Sequence, residues 1–262
     1  MKKRLIGGAI ILAIVIPVFI IGGIVFDIFA GLIGMLALYE LINVDKELKK
    51  ISTIVKILSF ISVPVIAYTN LNDSMYMGID ISTISIPIVL LLIPTLLLHN
   101  KGYDSKTSFK LVFITIFVGF LTNLFINIFT IDKYKFLWLI LIGMATDVFA
   151  YLGGKLIGKH KFSKISPNKT IEGCISGIIF GTLIGFIYYL NMYTISNGIV
   201  LLIVIMLLSV IGEVGDLFYS LIKRENDVKD FSHLIPGHGG ICDRIDSLSF
   251  IILLYSILFR FL

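Results

Sequence analysis

Apolar runs long enough to cross a bilayer follow one another along almost the whole of this sequence, and no other feature constrains its fold as tightly. Crossing about 30 Å of hydrocarbon takes roughly 20 helical residues. Such runs lie at approximately 5–25, 27–44, 52–69, 81–98, 110–130, 136–157, 171–190, 196–215 and 247–262. In hydrocarbon each backbone N–H and C=O must be bonded within the protein, so each run predicts a helix. With 57% apolar and 15% charged residues, the chain has too little polar surface to cover a water-soluble globule of 262 residues. The expected fold is an all-α polytopic membrane protein with about nine transmembrane helices. Met1-Lys2-Lys3-Arg4 before the first run imitates a signal peptide, but no small-x-small cleavage site follows, so the run is kept as an uncleaved helix.

Basic residues give the orientation. With the N-terminus inside, only Lys133, Lys135 and Arg260 of the 22 Lys and Arg fall on outer segments. Retention of Lys and Arg in cytoplasmic loops places the N-terminus in the cytoplasm and the C-terminus in the periplasm or extracellular space. The net charge of +5 is then topology and calls for no nucleic acid. Cys174 and Cys242 fall on or near the inner side and have no metal-site spacing. No polar stretch is long enough for a core of its own. Residues 1–110 therefore read as about four N-terminal transmembrane helices, and 111–262 as a C-terminal transmembrane region with its chemistry on the cytoplasmic face.

The inner loops carry that chemistry. Between Ser220 and Asp246 stand Lys223, Arg224, Lys229, Asp230, Pro236-Gly237-His238-Gly239-Gly240, Asp243, Arg244 and Asp246. Asp243 and Asp246 are three residues apart and share a face of any helix starting near them. If the chain folds back so that Asp216 meets that pair, three carboxylates can hold Mg²⁺, a hard cation that binds through oxygen. The glycines, with Gly239 and Gly240 foremost, let backbone N–H groups approach an anion and read as a phosphate cradle. His238 is either a turn residue or a direct participant. Lys223, Arg224, Lys229 and Arg244 are cationic donors for an anionic substrate. Without the acids and glycines, such a basic loop would be a topology signal alone.

A second cluster surrounds the seventh run. Asp147 lies inside an apolar span, where an ionised carboxylate is costly and marks either function or packing against a buried cation. Ser166, Lys169, Thr170 and Glu172 combine hydroxyl, ammonium and carboxylate at the mouth of the next helix. They suit contact with phosphate or nucleotide, although a helix start uses the same residue types. Gly173, Gly177, Gly181 and Gly185 recur every fourth residue and predict close helix packing, within one chain or across a homodimer. Trp138 reads as an interfacial anchor.

The segment Ser220, Lys223-Arg224, Lys229-Asp230, Pro236, His238-Gly239-Gly240, Asp243-Arg244 and Asp246 resembles the signature of the phosphatidate cytidylyltransferases, also called CDP-diacylglycerol synthases. Asp147 to Tyr151, and Ser166-Pro167-Asn168-Lys169-Thr170 with Glu172-Gly173, are similar to that family's middle region. The first half is similar only as membrane helices. The resemblance implies CTP and phosphatidic acid as substrates and CDP-diacylglycerol and pyrophosphate as products. It also implies a divalent metal, Mg²⁺, with a monovalent companion such as K⁺ at Asp216, Asp243 and Asp246, and the cytoplasmic membrane of a bacterium as location. The rival is a transporter or lipid flippase with an inner-face acidic cluster. It would be expected to show repeated halves and interrupted helices, and no internal repeat is present.

Overall fold

The computed structural model describes residues 2–69, 81–98, 102–163, 165–195, 197–235 and 237–259, with backbone alone for 2–6 and 81–82. The described residues are helical throughout: α1 (Lys2–Ile21), α2 (Gly23–Val44), α3 (Thr53–Ala67), α4 (Ile81–Leu98), α5 (Ser105–Ile131), α6 (Lys133–Ile157), α7 (Ile171–Met192), α8 (Gly198–Glu225) and α9 (Cys242–Leu258). A 3-10 turn covers Leu48–Lys50, and no strand occurs among them. Five helices, α2, α5, α6, α7 and α8, are long and apolar enough to cross a membrane, which makes this a multi-pass membrane protein. The described parts of α1, α3 and α4, and α9, are shorter.

Polar residues decide where these helices begin. Asp104, just before α5, accepts from the Thr107 N–H at 2.9 Å, and Asp132 caps α6 through the N–H groups of Tyr134 and Lys135. The Thr170 hydroxyl caps α7 by accepting from Gly173, and Asn197 accepts from Ile199 and Val200 at the start of α8. Each cap satisfies donors that the first turn of a helix leaves without partners. Two sequence boundaries move. The run expected to stop at 215 continues as α8 to Glu225, so Asp216, Ser220, Lys223 and Arg224 are helical. The last helix starts at Cys242 instead of 247 and carries both Asp243 and Asp246.

The chain forms two compact units. One is Met1–Ile131 with Asn226–Asp243, and the other is Asp132–Glu225 with Arg244–Leu262. In the first, α5 packs on α2, α3 and α4. Asn123 of α5 gives its side-chain N–H groups to the Ala67 and Thr69 carbonyls past the end of α3, at 3.0 and 2.9 Å. In the second unit the glycine stripe seats α7 against α6. A Cβ at Gly177 would stand 2.6 Å from the Thr146 carbonyl, and one at Gly185 would stand 2.7 Å from Ile142. The stripe is thus used inside the chain and gives a homodimer no support. Trp138 corrects an expectation: fully buried, it donates its indole N–H to the Gly185 carbonyl at 2.8 Å and is no interfacial anchor.

Candidate active site

The connection between α6 and α7 is folded tightly enough to aim one lysine. Phe162 N–H donates to the Lys169 carbonyl and Ile171 N–H to the His160 carbonyl, both at 2.9 Å, which closes a small hairpin. Glu172, in the first turn of α7, accepts from the N–H groups of Lys159 and His160 and meets His160 Nδ1 at 2.6 Å. Ser166 enters through its backbone carbonyl, which accepts from Lys169 N–H at 3.1 Å. The helix-start reading therefore describes Thr170 and Glu172 well, since both hold the connection in place.

Lys169, so positioned, reaches α8. Its Nζ lies 2.6 Å from Glu213 Oε2 and 2.5 Å from Asp216 Oδ2, two carboxylates one turn apart. Burial alone would lower the ammonium's pKa, but the charges of Asp216 and Glu213 outweigh it and hold Lys169 protonated above its ordinary range. Ser220 Oγ, one turn further, lies 3.4 Å from Asp216 Oδ1. From α9, Ser247 donates its hydroxyl to Asp147 of α6 at 3.1 Å and its N–H to Asp246 at 3.0 Å. Asp216, Asp147 and Lys223 are near enough to Asp246 to act on its charge. Gly215 allows this approach, because a Cβ there would stand 2.7 Å from the Asp246 carbonyl.

The carboxylates of Asp147, Glu213, Asp216 and Asp246 outnumber the ammonium groups of Lys169 and Lys223 within this unit. Glu213 is 4% exposed, and its Oε1 has no hydrogen-bond partner. A surplus of negative oxygen donors suits a hard cation. Among the described residues, no three His, Cys, Asp or Glu side chains are arranged to hold one ion.

Asp243 belongs to the first unit, where its Oδ2 accepts from the N–H groups of Phe231 and Gly240, both at 2.9 Å. The N–H groups of Ile241 and Cys242 go to Glu40 of α2, each at 2.8 Å, and the Ser232 hydroxyl goes to the same carboxylate at 2.6 Å. The amides of Gly240, Ile241 and Cys242 are thus held by the chain's own carboxylates. Gly237 and Gly239 adopt positive φ, 76° and 81°, in a turn where Ile235 N–H meets the Gly239 carbonyl and His238 N–H the Ile235 carbonyl. His238 Nδ1 is buried without a hydrogen-bond partner. Pro236 lies outside the described residues. Lys229, Arg224 and Arg244 are exposed, Asp230 is partly so, and Lys223 is buried at the end of α8.

Glu213 and Glu40 were not singled out from the sequence. Both carried the signal that marked Asp147, an acid inside an apolar run. Glu213 carried a second, its spacing of three residues from Asp216.

A multi-pass helical protein with carboxylates on α6, α8 and α9 and a lysine aimed among them has the architecture of a membrane enzyme acting on polar groups. Residues 2–262 match the model of the cytidylyltransferase family. The phosphatidate cytidylyltransferase of Staphylococcus haemolyticus (strain JCSC1435) is 33% identical over 259 residues, 98% of either chain. That of Bacillus subtilis (strain 168) is 33% identical over 277 aligned positions, covering 100% of this chain and 98% of the relative. The Staphylococcus aureus (strain COL) protein of the same name is equally similar. The chain belongs to the cytidylyltransferase family, and it is an enzyme that transfers a cytidylyl group.

Proposed function

We propose that the protein transfers CMP from CTP to phosphatidic acid, giving CDP-diacylglycerol and pyrophosphate for phospholipid synthesis. The observation that carries this reading is Lys169, held between Glu213 and Asp216 in the unit that also holds Asp147 and Asp246, in a chain similar over its full length to phosphatidate cytidylyltransferases. A phosphate oxygen of phosphatidic acid attacks the α-phosphorus of CTP, the bond to the α,β-bridging oxygen breaks, and pyrophosphate leaves with that electron pair. The nucleophile is already anionic, so the reaction needs alignment and charge neutralisation more than a strong base. Lys169 can turn from its carboxylates toward a triphosphate, while Lys223, Arg224, Lys229 and Arg244 offer cations to the two substrates.

Mg²⁺, with a monovalent companion such as K⁺, would be held by Asp216 and Asp246. When bound it would neutralise the triphosphate, whose oxygens complete its coordination, and this fits a site with no preformed three-ligand set. The topology supported by the basic residues is about nine spans in the bacterial cytoplasmic membrane, with the N-terminus inside. Acyl chains can then remain in the bilayer while the headgroup meets CTP from the cytosol.

The test is conversion of labelled CTP and phosphatidic acid to CDP-diacylglycerol by the purified protein in detergent. Product is expected with Mg²⁺ and absent after chelation. A folded protein that makes none across varied lipids and cations would sink the reading and turn attention to transport.

A further inference from the structure

Four backbone amides between Phe231 and Cys242 are held by two carboxylates, and one of these comes from the far end of the sequence. Glu40 stands in the last turn of α2 and is 2% exposed. Its Oε1 accepts from Ser232 Oγ and Ile241 N–H, and its Oε2 from Cys242 N–H. Helix α9 opens after Gly240-Ile241, which offers no side chain able to cap it. Its first amides would otherwise be buried without partners, at a cost that a bilayer makes severe. Glu40 does the capping from another helix, and its negative charge sits at the positive end of the α9 dipole. Gly240 is explained by the same contact, since a Cβ there would stand 2.6 Å from the Glu40 carboxyl carbon. One turn earlier on α2, the Ala37 carbonyl accepts from Cys242 Sγ at 3.5 Å. Ile241 and Cys242 are thus fixed to α2 by three contacts.

We infer that Glu40 is a positioning residue for the cytidylyl transfer: as a carboxylate it sets where α9 begins and holds the turn carrying His238, Gly239 and Asp243. The inference rests on the proposed function for its catalytic consequence and on geometry alone for the anchoring. The acceptor chemistry is specific. Glutamine matches the size of Glu40 but turns an NH₂ group toward an N–H or O–H that needs an acceptor, so Glu40→Gln replaces one bond by a donor–donor conflict.

The chain supplies its own reporters, because its two cysteines are both buried thiols outside any disulfide. Cys242 sits at the Glu40 contact, and Cys174 lies in α7 of the other unit. In detergent, Glu40→Gln is expected to keep its helical content while its thermal midpoint falls by several degrees. Cys242 should become reactive to a maleimide while Cys174 stays protected, as read by peptide mapping. In the same preparation kcat should fall roughly 100-fold, as expected when a catalytic segment is misplaced by about 1 Å. Glu40→Ala extends the series, and if it fails to fold the glutamine variant decides alone. Wild-type protection of Cys242 in Glu40→Gln overturns the anchor. Exposure of Cys242 with unchanged kcat overturns the positioning role. Absence of turnover in the wild type overturns the proposed function instead, and the labelling still decides whether Glu40 holds the helix.

Discussion

Two sets of carboxylates, one drawn from each unit, are used in opposite ways. In the first, the carboxylates of Glu40 and Asp243 are occupied by backbone amides, and Asp45 is similarly engaged by the N–H groups of Glu47 and Leu48. In the second, Asp147, Glu213, Asp216 and Asp246 face hydroxyls, one another and a lysine ammonium. Carboxylates saturated by amides fix backbone. Carboxylates crowded around too little positive charge keep binding capacity at the expense of stability. An acid in an apolar run is therefore not informative by itself, and what distinguishes its role is whether amides or side chains surround it.

The sharpest way to break this contrast is to neutralise one acid of each kind. Asp246→Asn should reduce turnover by about 10²–10³-fold, the size expected for removing one charge-stabilising group from a site. Its thermal midpoint should hold or rise, because repulsion from Asp216 and Asp147 is relieved. Asp243→Ala should instead lose two amide bonds to a charged acceptor, about 3–6 kcal/mol together. The pair is measured by turnover and by thermal unfolding in detergent. Equal stability loss in both variants would erase the distinction.

A somewhat smaller effect is expected inside the charged cluster. Lys169→Met removes the partner of a Glu213 carboxylate that is almost wholly buried. Leaving such a charge unpaired costs about 3–5 kcal/mol. Adding Glu213→Gln should recover much of that stability without restoring turnover, because the cation aimed at the substrate is still missing. A double variant no more stable than Lys169→Met would show that the ion pair is not what holds Lys169 to α8.

Helices were legible in this sequence because hydropathy follows from the solvent, and the observed limits of α2, α4 and α7 lie close to the apolar runs. The limits failed at α8 and α9 for one reason. Asp216, Ser220 and Lys223 end the apolar run without ending the helix, where Asp216 and Ser220 have partners on their own unit. In the site, Asp147, Lys169, Asp216 and Asp246 could be read from their residue types in an apolar setting. Glu40 could not be placed, since the amides it caps lie about 200 residues away and an unbonded amide leaves no mark in a sequence. The same limit applies to Gly239 and Gly240. Glycine signals close approach of some group to the backbone, and here the groups are Asp243 and Glu40.

The smallest effect expected tests the saturated class by acid. Asp45 ends α2, accepts from Glu47 and Leu48 N–H at 3.0 and 2.9 Å, and pairs with Lys110. Burial raises its pKa, but the Leu48 amide and Lys110 outweigh it and hold the carboxyl below the ordinary value of 3.8. A depressed folded-state pKa means that the contribution is fully present above the unfolded value and is lost as pH falls through the folded one. Asp45→Asn should therefore cost about 1 kcal/mol at pH 7, on the order of a single hydrogen bond. The gap between variant and wild type should narrow only when the pH drops below about 4. A gap that already closes between pH 7 and pH 5 would mean that burial outweighs the amides and Lys110 and raises the Asp45 carboxyl, so that amide saturation does not lower carboxyl pKa values in the first unit.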